Sequence, residues 1–157
     1  MHDGRLDLAV LGLGPAVPAG LGLRVISEEP LVAAVAPGHP LAARKTITLR
    51  ALAGYPLISL PPGTGLRGSL DAACAAAGLT PAITLEAGDP RILAQLASHG
   101  LGVAVLPAST TGARRGELHA ATITRPALSG RIALAWPAGG PANPAARELI
   151  QRTRAAG

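Results

Sequence analysis

At 157 residues with 48% hydrophobic content, the chain is long and apolar enough to bury a core, which excludes a disordered segment. No apolar run approaches the roughly 20 residues of a membrane helix, so a spanning segment is excluded as well. The net charge of +5 comes from thirteen scattered arginines and Lys45, and with one Trp, one Tyr and no Phe the stacking platform for single-stranded nucleic acid is missing.

In chain order, residues 4–11 (GRLDLAVL) read as a strand in which Leu6, Leu8 and Val10 alternate with Asp7 and Ala9 before turning fully apolar, as a strand buried on both faces does. The first residues run straight into it, so no secretory leader is expected, and the single cysteine, Cys74, fits a reducing cytoplasm. Gly12-Leu13-Gly14 imitates the start of a dinucleotide fingerprint, with Glu28 or Glu29 posing as the ribose carboxylate. It lacks the third glycine, and Pro15, Pro18, Gly20 and Gly22 forbid the helix on which a pyrophosphate would sit. No dinucleotide or other cofactor is expected.

Residues 31–36 (LVAAVA) form a second buried strand, broken by Pro37-Gly38-His39-Pro40. His39 lies between Gly and Pro in that turn, where its ring hydrogen-bonds the loop; no second ligand stands at metal spacing. Residues 46–54 make a short helical turn leading to the organising stretch, 57–78 (LISLPPGTGLRGSLDAACAAAG). Its strand, 57–60, ends in Pro61-Pro62 and a glycine turn, Gly63-Thr64-Gly65. A helix follows with Leu66, Leu70, Ala73, Cys74 and Ala77 on one face; Thr64 is placed to cap it and Gly78 to stop it. A strand running through a glycine turn onto bare helix N–H groups makes a cradle for a carboxylate. Cys74, on the apolar face, reads as an inert core thiol.

Next come a strand over 83–87, a helix opened by Asp89-Pro90 with Ile92, Leu93, Leu96 and Ala97 inward, and a fully apolar strand over 101–107. Two strands, 118–123 and 132–136, a joint at Gly139-Gly140-Pro141 and a helix starting at Asn143-Pro144 complete the chain. Strands alternating with helices at short intervals argue an α/β fold with largely parallel sheet.

Five segments in order resemble the effector-binding domain of LysR-type transcriptional regulators. They are GRLDLAV at 4–10, EEPLVAAVAPGHPLA at 28–42, LAGYPLISL at 52–60, AAAGLTPAITLEAG at 75–88 and LASHGLGVAVLP at 96–107, followed by an Arg-x-x-x-x-Trp strand and a final helix. The resemblance implies a two-lobed α/β domain of the type 2 periplasmic-binding-protein kind with mostly parallel sheets. Residues 1–30 and 125–157 would form part of the first lobe, and residues 31–124, with a crossover strand, the second. A small carboxylate-bearing effector would bind between the lobes, against Leu11, Gly12 and Leu13 after the first strand, Ser59 with Thr64, Gly65 and Leu66 in the second lobe, and Gly102 and Val103 at the start of their strand. The resemblance also implies a homo-oligomer in the full-length protein, no membrane partner, and DNA contact only through an N-terminal winged helix-turn-helix outside these residues, as is the opening strand–helix–strand–helix of the first lobe.

Two other functions compete. A transporter's solute-binding protein shares the topology but needs an export signal. An enzyme needs a nucleophile–base pair or a metal cluster. His2, His39, His99 and His119 are far apart in sequence, and Ser59 has no nucleophile-elbow context, so catalysis is not expected.

Overall fold

The computed structural model describes residues 8–14, 19–114, 116–139 and 144–156. The expected strand start at residues 4–7, the joint at Gly140-Pro141 and the helix opening at Asn143 lie outside them. Among the described residues, eight strands, five α-helices and one 3-10 helix follow one another: β1 Ala9–Leu13, β2 Leu21–Val35, the 3-10 helix Pro40–Ala43, β3 Thr46–Thr48, α1 Leu49–Leu52, β4 Pro56–Ser59, α2 Gly65–Ala76, β5 Ala82–Glu86, α3 Pro90–Ser98, β6 Val103–Pro107, α4 Ala108–Gly112, β7 His119–Thr124, β8 Ser129–Pro137 and α5 Pro144–Ala156.

The 15-residue strand β2 joins two groups of strands. Residues 21–30 pair antiparallel with β8, which also pairs antiparallel with β1. From Leu31 onward β2 lies instead between β6 and β7, antiparallel to both. Beyond them β4 pairs in parallel with β6 and β5, and β3 in parallel with β7. Pro30 stands at the change of neighbours, where a residue without an N–H donor costs the ladder least. The next residue, Leu31, donates to the Leu128 carbonyl at 2.9 Å.

Mostly parallel pairing therefore holds within the β3–β7 group but not across the molecule. The long strands β2 and β8 run against their neighbours, so the sheet as a whole is mixed. The expectation also missed residues 21–30 of β2. Their Gly and Pro content hides the strand, but Gly22 is there because Trp136 lies across from it, and a Cβ would overlap the indole. Helix α4 was missed too, since ASTTG carries no apolar period.

Period-2 alternation explains why the central strands are apolar on both faces. Leu31, Ala33, Val35, Leu57, Val103 and Val105 meet Leu70 and Cys74 of α2 on one side. Ala34, Ile58, Ala104 and Leu106 meet Leu93, Ala94 and Ala97 of α3 on the other. Helix α2 ends as expected at Gly78, with φ 70°. The Leu79 N–H returns to the Cys74 carbonyl at 2.8 Å and the Gly78 N–H to that of Ala75 at 3.1 Å, a pair of bonds that needs a left-handed residue between them. Cys74 is buried as read, and burial first, then the nearby Asp71 carboxylate, raises the pKa of its thiol.

Candidate functional site

The cavity that matters is about 390 Å³ and lies between the β1–β8–β2 strands and the C-terminal ends of β4 and β6. Its floor and walls are mostly apolar, with Val10, Leu11, Leu13, Ile132, Leu60, Leu66, Pro90 and Pro107. Its polar groups are Ser27, Glu29, Thr64 and Arg131. Few polar groups on an apolar lining at strand ends is the usual build of a small-molecule site. A larger surface hollow of about 580 Å³, lined by Arg91, Thr110, Arg114 and Glu117 among others, is a weaker candidate. It is shallow, and its two arginines are already paired, Arg91 with Asp89 at 2.9 Å and Arg114 with Glu117 at 3.1 Å.

The glycine turn works as read in one respect and not in another. Gly65 opens α2 directly against β1, and a Cβ there would stand 2.6 Å from the Gly12 carbonyl carbon and 2.7 Å from that of Leu13. Only glycine lets the helix start approach the strand backbone so closely. Thr64 does occupy the N-cap position, but its side chain makes no capping bond. Its hydroxyl donates to the Pro61 carbonyl at 2.9 Å instead, because the Pro61-Pro62 turn brings that acceptor three residues back. The hydroxyl lone pairs and the first turn of α2 thus stay free of a side-chain cap at the cavity wall.

Of the nine expected residues, Leu11, Gly12, Leu13, Thr64, Gly65 and Leu66 line this cavity. Ser59, Gly102 and Val103 do not. Ser59 is fully buried beside Leu57 and Leu60, and its Oγ has no hydrogen-bond partner. Gly102 packs on the other end of the sheet, where a Cβ would lie 3.2 Å from the Pro56 carbonyl oxygen and from Ile58. Strands β4 and β6 are parallel, and it is Pro107, at the opposite end of β6 from Val103, that reaches the cavity. Arg67 is turned away: it bonds both Asp71 carboxylate oxygens at 3.0 Å, the Leu60 carbonyl at 3.2 Å and Glu86 at 3.3 Å.

Sequence reading missed Ser27, Glu29 and Arg131. The available signal was a charged residue inside or beside an otherwise apolar strand, as Arg131 is in RIALAW. Arg131 donates through Nη2 to the Gly14 carbonyl at 3.2 Å, tying β8 to the end of β1. His39 does what its turn suggested: Nδ1 accepts from the Leu41 N–H at 3.0 Å. Among the described residues no group of three His, Cys, Asp or Glu side chains is placed to hold a metal ion. Nor is any described helix long and apolar enough to cross a membrane.

The family described as LysR substrate binding domain matches residues 1–157. The chain belongs to that family. It is 36% identical over 149 residues to the uncharacterized HTH-type transcriptional regulator YnfL of Escherichia coli K12, covering 94% of this chain and 50% of the relative. A LysR-family domain here thus spans about half the length of that curated relative. In three dimensions it is similar to the effector binding domain of QuiR in complex with shikimate, with a TM-score of 0.84 at 22% identity, over 97% of this chain and 72% of that one. It is equally similar to the CcmR regulatory domain of Synechocystis PCC6803 in complex with 2-PG, with a TM-score of 0.84 at 23% identity, over 99% of this chain and 76% of that one. These structures establish the periplasmic-binding-protein-like fold of the LysR domain.

Proposed function

We propose that this LysR-family domain senses a small carboxylate-bearing metabolite in the 390 Å³ cavity and that occupancy modulates transcription. The observation that carries this reading is the meeting, in one apolar hollow, of the Arg131 guanidinium, the Thr64 hydroxyl and the uncapped start of α2. All three favour an anion. The two structural relatives, solved with shikimate and 2-PG, support the same class of ligand. Family membership weighs against the transporter reading. The domain is read as a non-enzymatic, cytoplasmic module, active as a homo-oligomer and contacting DNA through a separate helix-turn-helix. The switch of β2 from β8 to β6 and β7 at Pro30–Leu31 supports a lobe boundary there, with residues 1–30 and 125–157 in one lobe and 31–124 in the other.

A calorimetric screen of carboxylate metabolites on the intact protein tests this. A saturable carboxylate ligand is expected, weakened roughly 10- to 100-fold by Arg131→Gln, as one charge-assisted hydrogen bond predicts. Thr64→Ala should weaken it less, and Arg67→Ala, which lies outside the cavity, should leave it unchanged. Binding that survives Arg131→Gln and Thr64→Ala but is lost in Arg67→Ala would place the effector elsewhere.

A further inference from the structure

We propose that the ligand of this cavity is a zwitterion: an aliphatic molecule whose carboxylate goes to Arg131 and whose protonated amine goes to Glu29. The inference deepens the effector-sensing reading and rests on it.

Two opposite charges line the cavity, and neither joins an ion pair among the described residues. Glu29 Oε1 accepts from the neutral Ser109 hydroxyl at 2.6 Å, and no ion pair among the described residues includes Glu29. Arg131 donates to the Gly14 carbonyl and likewise joins no ion pair among the described residues. Elsewhere acids lie beside arginines, as Asp71 and Glu86 do with Arg67, Asp89 with Arg91 and Glu148 with Arg152. The register of β2 and β8 sets Glu29 opposite Gly130 and the exposed Glu28 opposite Arg131, but among the described residues Glu28 forms no ion pair with Arg131. Glu29 and Arg131 are only partly exposed. A half-buried charge held in no ion pair is incompletely compensated, so each favours an opposite charge brought by the occupant.

An anion alone satisfies Arg131 and the start of α2 but leaves Glu29 facing it, and a dicarboxylate adds like-charge repulsion at that end. An amine alone does the reverse. A molecule carrying both groups answers both walls, and Leu11, Leu13, Leu66 and Ile132 between them suit an aliphatic body.

The test is calorimetric titration of the intact protein with aliphatic 2-amino acids and their 2-hydroxy and 2-oxo counterparts on the same carbon skeletons. L-Leucine, 2-hydroxy-4-methylpentanoate and 4-methyl-2-oxopentanoate form one such set, with 3-methylbutylamine as the amine lacking a carboxylate. At least one amino acid should bind about tenfold or more tightly than both of its counterparts, as one charge-assisted hydrogen bond predicts. Glu29→Gln, which keeps an acceptor for Ser109, should abolish that preference. Ser109→Ala, which leaves the Glu29 charge in place, should retain it. Hydroxy or oxo acids binding as tightly as the amino acids, or a preference that survives Glu29→Gln, would overturn the zwitterion and leave a carboxylate sensor standing. If no acid of any of the three kinds binds, the zwitterion is overturned together with the reading beneath it.

Discussion

The two halves of β2 are one strand in two environments. Residues Leu31–Val35 are at most 4% exposed, whereas Val25 and Ile26 are each 45% exposed. The buried half has a strand on either side and a helical layer on both faces, so every position can be apolar. The other half has β8 as its strand neighbour and mixes apolar residues with Ser27, Glu28 and Glu29. Core is built where two layers cover the sheet, and the cavity is built where the same strand emerges from them.

That contrast predicts its own largest effect. Leu70→Ala removes a fully buried side chain between α2 and the sheet, and should cost about 2–5 kcal/mol, the cavity left behind included. Val25→Ala, in the open half of β2, should stay within about 0.5 kcal/mol. Urea unfolding monitored by circular dichroism reads both, with the slope held constant as the check on a common unfolded state. Comparable losses would mean that Val25 is covered in the protein and that the two halves do not differ.

The same contrast decides what was legible in the sequence. The runs LVAAVA, LISL and LGVAVLP are apolar because both of their faces are buried; LISL and LGVAVLP are found as strands within two residues of their expected places, and LVAAVA as the C-terminal part of the longer β2. Helices α2 and α3 were legible through their apolar period and through Gly78 and Asp89 at their ends. Residues 21–30 were not, because a strand with an open face and a glycine fitted to Trp136 has no period to detect. Among the residues that line the cavity, those in the glycine turn are legible through local chemistry, since turn and helix start are adjacent in the chain. Arg131 and Glu29 were missed because only the pairing of β8 with β1 and β2 brings them to the cavity. Val103 was placed at the wrong end of β6, since sequence shows a strand but not which end meets the other strands. The open face also contradicts the expectation that the first strand is buried on both sides: Val10 is 65% exposed.

A smaller effect probes the seam between the regions. Gly65→Ala places a Cβ 2.6 Å from the Gly12 backbone, so α2 and β1 must separate by several tenths of an ångström. Overpacking of this kind costs about 1–3 kcal/mol. Because the seam is also the cavity wall, ligand binding should weaken more than the stability loss alone accounts for. Gly88→Ala is the control, since nothing lies within 4 Å of its added Cβ. If Gly65→Ala unfolds at the same urea concentration as the parent, the helix start does not rest on β1 as closely as described.

The smallest effect belongs to the start of α3, which does what the start of α2 does not. Asp89 accepts from the Arg91 N–H at 2.8 Å, and its carboxylate also meets the Arg91 guanidinium at 2.9 Å. The side-chain bond to Arg91 comes first, and the backbone bond second, in holding the Asp89 carboxyl below its usual range. A lowered folded-state value means that the ionised form is favoured by folding. Its stabilisation is therefore fully present above the ordinary aspartate value of about 3.9 and is lost as pH falls through the lowered one. Thr64 has no part in this, since its hydroxyl caps nothing. Asp89→Asn should therefore flatten the acid limb of the stability curve, while Thr64→Ser leaves that limb unchanged. Arg91 is 82% exposed, so the effect should shrink in high salt. Urea midpoints taken between pH 6 and pH 3, at low and high ionic strength, measure it. A parent and an Asp89→Asn variant that lose stability in parallel over that range would show that the carboxylate at this helix start, though bonded, does not couple its protonation to folding.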